Sequence, residues 1–144
     1  MAAPAKQTAS YEPFGKIFTK ILDPLRADES TAILCYADRV NHFFDSDVDR
    51  IGEIVKGNYQ GVVAGMVEAG FLRRHEAIPG PRYVVSRLGS TSYALASRLS
   101  SLLITSEPLN LGVTDEELKI LTDMIDRFVR IGAEVIRVPK PSLH

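Results

Sequence analysis

The sequence predicts a mainly helical α+β chain. Two observations carry that prediction. Six stretches place their apolar residues at helical spacing, and in one place two strand-like stretches flank the tight turn Pro79-Gly80-Pro81. The expected order is four helices, a hairpin, then two helices.

Residues 1–10 are small and polar, lack an apolar run of the signal-peptide kind and are expected to be disordered. From Pro13, the residues Phe14, Ile17, Phe18, Ile21, Leu22 and Leu25 trace one helical face, and Pro24 is expected to kink or end that helix. A second helix is expected from Ser30, as its cap, to Phe44, with Ile33, Leu34, Ala37, Val40 and Phe44 turned inward. Asp45-Ser46-Asp47 punctuates the chain before a short third helix carrying Val48, Ile51, Ile54 and Val55.

Lys56-Gly57-Asn58 reads as a turn with Asn58 as a capping residue. A fourth helix follows with Tyr59, Val62, Val63, Met66 and Val67 at helical spacing, and Gly70 stands where a left-handed C-cap is wanted. Phe71 to Ile78 and Arg82 to Leu88 read as the two strands. A fifth helix is expected from about Ser90 to Ile104. After a loop with Pro108 and Gly112, Thr114 and Glu117 form a capping box. Behind it Leu118, Leu121, Ile125, Phe128, Ile131 and Val135 make an apolar stripe, stopped by Pro139 and Pro141.

Composition narrows the function classes. The 144 residues are 45% hydrophobic and 24% charged, ordinary values for a globular domain. No apolar run approaches the roughly 18 residues of a membrane span. Cys35 is the single cysteine, so no internal disulfide forms, and a reducing cytoplasm is the expected compartment. Net charge is −1, but it is unevenly spread. Between Arg50 and Arg98 seven basic residues face three acids, +4, whereas Glu107 to Arg137 holds seven acids and four bases, −3. A basic middle and an acidic end predict one face for an anion and another for something else.

Two short helices joined by a Gly-containing turn form a helix-turn-helix unit, whose second helix lies in the DNA major groove. The hairpin that follows directly makes it winged. Ala69-Gly70-Phe71-Leu72, then Arg73-Arg74, the tip Pro79-Gly80-Pro81, Arg82 and Val84 to Leu88 follow a known spacing without insertion or deletion. On these residues, and on Val113 to Leu118 at the start of the last helix, the chain resembles the MarR family of bacterial regulators over roughly residues 13–138. The resemblance implies a winged helix-turn-helix at about 30–90, with dimerisation helices at about 12–27 and 90–138, all within one domain spanning residues 11–144. It implies a homodimeric repressor on a pseudo-palindromic double-stranded operator, with half-sites ~34 Å apart. It also implies release by a small aromatic effector.

The expected DNA contacts are Lys56, Asn58, Tyr59 and Gln60 around the recognition helix, and Arg73, Arg74, Arg82 and Arg87 on the wing. Asn and Gln can pair bidentately with adenine, while arginines hold phosphate or enter a narrow minor groove. The helix departs from the family pattern in offering Gly61, Ala64 and Gly65 where Ser, Arg or Lys is common. Phe14, Ile17, Phe18, Ile21, Leu118, Leu121, Ile125 and Phe128 are the expected dimer interface, and Tyr11, Tyr36 and Phe44 the expected effector cleft.

No metal-ligand spacing joins His42, His75 and His144, Asp45 to Lys56 fails as an EF-hand, and Gly57-x3-Gly61-x3-Gly65 follows no strand. No nucleophile–base pattern is present; neither an enzyme nor a cofactor is expected. The weakly charged recognition helix leaves an alternative open: a dimeric winged-helix module that docks a protein and binds no DNA.

Overall fold

The computed structural model describes residues 20–78, 80–104 and 114–141. The fold is mainly helical, with one three-stranded antiparallel sheet, and so is α+β. After a 3-10 turn at Asp23–Arg26 come α1 (Asp28–Arg39), β1 (Phe43–Phe44), α2 (Asp45–Ile54) and α3 (Gln60–Glu68). Then follow β2 (Leu72–His75), β3 (Arg82–Val85), α4 (Arg87–Ile104) and α5 (Asp115–Val135).

Helix α1 is the centre of the molecule. Residues 31–37 are buried without a break, which requires neighbours on every side, and α5, α4 and α3 supply them. The helix starts at Asp28, earlier than expected, because Ser30 does not cap it. The Ser30 and Thr31 hydroxyls instead donate back to the Pro24 carbonyl, at 2.5 and 3.1 Å, fastening the 3-10 turn to the helix. The acidic first turn, Asp28 and Glu29, faces the positive end of the helix dipole. Arg127 of α5 reaches Asp28 at 2.8 Å and the Leu25 carbonyl at 2.8 Å.

The same helix ends at Arg39, not at Phe44. Phe43 gains more as a strand residue, where its ring lies 5.7 Å from Tyr36 and 5.3 Å from Tyr83. Arg39 then reaches across to the far end of α5, donating to the carbonyls of Ile136 (2.7 Å) and Val138, while the Tyr36 hydroxyl donates to Pro139 (2.9 Å). These bonds tie the segment just past the end of α5 back to α1, while the last carbonyls of α5 itself are met by the amides of Ile136, Arg137 and Val138.

Local signals mostly hold. Asp47 accepts the Phe44 amide at 2.8 Å and so caps α2 from within. Gly70 has φ +91°, and the amides of Phe71 and Gly70 bond the carbonyls of Met66 and Val67, a Schellman ending to α3. Thr114 and Glu117 exchange their two bonds, at 3.1 and 2.9 Å. Asn58, by contrast, makes no cap, since Tyr59 occupies the N-cap position of α3 without a side-chain bond.

Both strands are shorter than expected. Ser86 ends β3 and caps α4 by accepting the Gly89 amide at 3.1 Å, so Arg87 and Leu88 belong to the helix. The sheet order is β1-β3-β2, with Phe43 opposite Tyr83, Phe44 opposite Arg82, Arg73 opposite Val84 and His75 opposite Arg82. Directly paired residues share a face. Phe43, Tyr83 and Leu72 therefore cover the core, and Phe44, Arg82, His75 and Arg73 lie on the outer face.

The α5 stripe is also committed. Leu121, Ile125, Phe128, Ile131 and Val135 are each at most 7% exposed within this single chain, where α5 packs on α1 and α4. None of the described helices is long and apolar enough to cross a membrane.

Candidate nucleic-acid interface

Two surfaces, the α2–α3 corner and the β2–β3 hairpin, carry the expected DNA contacts other than Arg87. Val55 to Tyr59 turn the chain from α2 into α3. Gly57 packs closely at this bend: a Cβ there would lie 2.7 Å from Glu29 Cγ and 3.0 Å from the Tyr59 ring, so a larger residue would have to displace the Glu29 side chain. Tyr59 is correspondingly an anchor and not a groove contact. It is 3% exposed, and its hydroxyl is buried with no partner among the described residues. Burial, and then the carboxylates of Glu29, Asp28 and Glu134, push that phenol up to about 12.

Helix α3 buries Val63 and Met66 and half-buries Val62 and Val67. Its outward residues are Gln60, Gly61, Ala64, Gly65 and Glu68. Among the described residues nothing lies within 4 Å of the positions a Cβ would take at Gly61 and Gly65, so these residues leave the face smooth and open. Gln60 is exposed, with its Nε2 donating to Asp49 Oδ1 at 3.0 Å, which leaves its carbonyl oxygen to accept. Lys56 and Asn58 are exposed beside it. Together with Asp49, Glu53 and the apolar Val48, they border a groove of about 360 Å³. The two carboxylates were not anticipated from sequence. Their spacing, four residues apart on an amphipathic helix, was the available signal.

The hairpin divides its arginines by register. Arg73 and Arg82 are exposed on the outer face, with His75 between them in the pairing, and neither makes an ion pair among the described residues. Arg74 points to the other face. Glu76 pairs with its guanidinium, which also bonds Tyr83 and is raised by that bond and by Glu76. Tyr83 in turn donates to Asp45 at 2.8 Å, so Arg74 belongs to a chain of contacts running back to α2. Arg87 is exposed but sits on the first turn of α4, off the hairpin. The structure thus brings Arg73, His75 and Arg82 together, keeps Lys56, Asn58 and Gln60 together at the corner, and removes Tyr59 from both sets. His75 was missed; its i, i+2 relation to Arg73 in a strand was the readable clue.

The expected effector cleft is not formed by its described members. Tyr36 is wholly buried, its ring under the Arg39 guanidinium at 5.5 Å, whereas Phe44 is half-buried on the outer sheet face beside His42. A residue with no exposure cannot line an open cleft. Tyr11 lies outside the described residues, as do Phe14, Ile17 and Phe18 of the expected dimer interface. Ile21 and Leu118 are half-buried, while Leu121, Ile125 and Phe128 are spent on the chain's own core. Cys35 is 7% exposed; burial, and then Asp38, push its thiol up to about 12, well away from a reactive thiolate. Among the described residues, no group of three or more His, Cys, Asp or Glu side chains is placed to hold a metal ion. No protein-family model, curated protein or solved structure matches the chain.

Proposed function

We propose that this chain is a winged helix-turn-helix regulator of the MarR kind, which binds double-stranded DNA as a homodimer and acts as a repressor. One observation carries the reading. A helix–turn–helix with an open second helix is followed at once by a hairpin whose outer face presents Arg73, His75 and Arg82, with no ion pair to them among the described residues. Strand order β1-β3-β2, with β1 between the first two helices, further supports the winged reading. Gln60 and Asn58 would address base edges; Lys56, Arg73, Arg82 and Arg87 would hold phosphate. Because the α5 stripe is internal, the dimer would use apolar residues left uncovered, such as Val129 and Ile136, 48% and 69% exposed.

Electrophoretic titration against duplex from the gene's own upstream region tests this. The double variant Arg73→Ala/Arg82→Ala should weaken binding far more than Arg74→Ala, whose cation is already engaged by Glu76. Equal affinity of the double variant and the parent would remove the assigned contacts.

A second reading, a dimeric protein-docking module, rests on the absence of any cation on α3 and on the exposed acids Asp45, Asp49 and Glu53 of α2, set against Arg50 alone. Failure of every duplex to bind at low salt would favour it.

A further inference from the structure

We propose that Ile78 is an apolar wedge that enters the DNA minor groove, opens one base step and bends the bound duplex. The inference rests on the DNA-binding reading above and goes beyond it, since none of the contacts assigned there distorts DNA.

Ile78 is 98% exposed, whereas the other exposed large hydrophobic side chains among the described residues lie between 38% and 69%. It stands in the connection between β2 and β3, beyond the last paired residues, His75 and Arg82. A Cβ placed at nearby Gly80 would meet no atom within 4 Å among the described residues, which leave this end of the hairpin open. Pro81 fixes its φ through its ring, which limits the freedom of the connection before β3 begins.

Charge decides between occupants. An apolar tip could serve a protein or a lipid surface, but this one is mounted on Arg73, His75 and Arg82, all on one face. Glu76, the single acid from Leu72 to Val85, is drawn to Arg74. The charges of the hairpin that make no ion pair among the described residues are the cations of Arg73 and Arg82, with an isoleucine beyond them. Proteins that kink DNA from the minor groove combine these two parts: cations that hold phosphates and an aliphatic side chain that partly unstacks a step. Pyrimidine–purine steps, which unstack most easily, would be the preferred points of insertion. Ile78 would then confer sequence preference without a hydrogen bond.

The test uses the full chain and a duplex from the gene's upstream region, labelled at both ends for energy transfer, with a fluorescent adenine analogue at a TA step. Parent protein at saturation should bring the ends closer and brighten the analogue. Ile78→Ala should bind with the same salt dependence yet lose both signals, and should lose about tenfold of the preference for TA-containing over GC-only duplexes. Ile78→Phe, which restores an apolar wedge, should recover the bend. The high exposure of Ile78 predicts unchanged thermal unfolding for both variants, and that scan is run alongside. If Ile78→Ala bends the duplex as the parent does, or if the parent binds without bending it, the wedge is refuted while DNA binding stands. If the parent binds no duplex at any salt, the DNA-binding reading fails and the wedge falls with it.

Discussion

Replacing Gly89 by alanine should cost this protein about 2 kcal/mol, although alanine is the better helix former. Gly89 is buried in the first turn of α4, where Ser86 caps the helix. A Cβ there would fall 2.8 Å from Val85 Cγ2 and 3.3 Å from the Phe71 carbonyl carbon, and closer still to the Phe71 oxygen. That oxygen cannot swing aside, because it accepts the Ser86 amide at 3.1 Å and follows directly on the Schellman turn at Gly70. Overpacking costs about 1–3 kcal/mol, and rigid backbone in the way places this case at the top of that range. Helix propensity returns at most about 1 kcal/mol, which leaves the net loss near 2. With a urea slope of roughly 2 kcal/mol/M, the unfolding midpoint should drop by about 1 M. Gly65→Ala is the matched control, since nothing among the described residues lies within 4 Å of its Cβ position; it should raise stability by up to about 1 kcal/mol. A Gly89→Ala midpoint at or above the parent's, with unchanged slope, would refute the close approach of α4 to Phe71.

Other outcomes follow from single contacts. Cys35 should resist a thiol reagent at neutral pH in the native protein and react fully in urea, because its thiol is buried and pushed up to about 12. Tyr36 and Tyr59 are both raised from 10.0 to about 12, chiefly by burial. The folded state therefore holds these protons more tightly than the unfolded chain does. The resulting stability is fully present below pH 10 and is lost as pH rises towards 12, so tyrosinate absorbance should appear together with loss of helical circular dichroism. Thr114→Ala, which removes a reciprocal cap, should cost about 1 kcal/mol in a denaturant titration.

What the sequence disclosed was what neighbouring residues decide. Thr114 and Glu117 lie within one turn of each other, and Gly70 takes a backbone angle that other residues avoid, so both were legible. The end of α1 was not. Val40 to Phe44 continue a helical apolar period, and only pairing with β3, some forty residues on, makes strand of Phe43 and Phe44. Ser86 was hidden for a different reason: one serine can continue a strand or cap a helix, and the close approach of Gly89 to Phe71 settles which. Within the candidate site, charge type was readable but availability was not. Arg73 and Arg74 are adjacent and chemically identical. Both are exposed, but strand alternation turns Arg73 to the outer face and Arg74 towards Tyr83 and Glu76, which engage it. Tyr59 had the same ambiguity, since an aromatic at a helix corner serves equally as probe or anchor. Here its surroundings, Gly52, Gly57 and Glu29, make it an anchor. The stripe on α5 carried no label saying whose core it fills, and α1 of the same chain fills that role.

The salt dependence of duplex binding tests the central claim most directly. Lys56, Arg73, Arg82 and Arg87 are exposed and form no ion pair among the described residues. At about 0.9 counterion per phosphate contact, four such contacts predict a slope of log affinity against log salt near −3.5 per protomer, and about −7 for a homodimer. Arg73→Ala/Arg82→Ala should flatten the homodimer slope by about half. Binding that is indifferent to salt, or no binding to any duplex at low salt, would contradict the account.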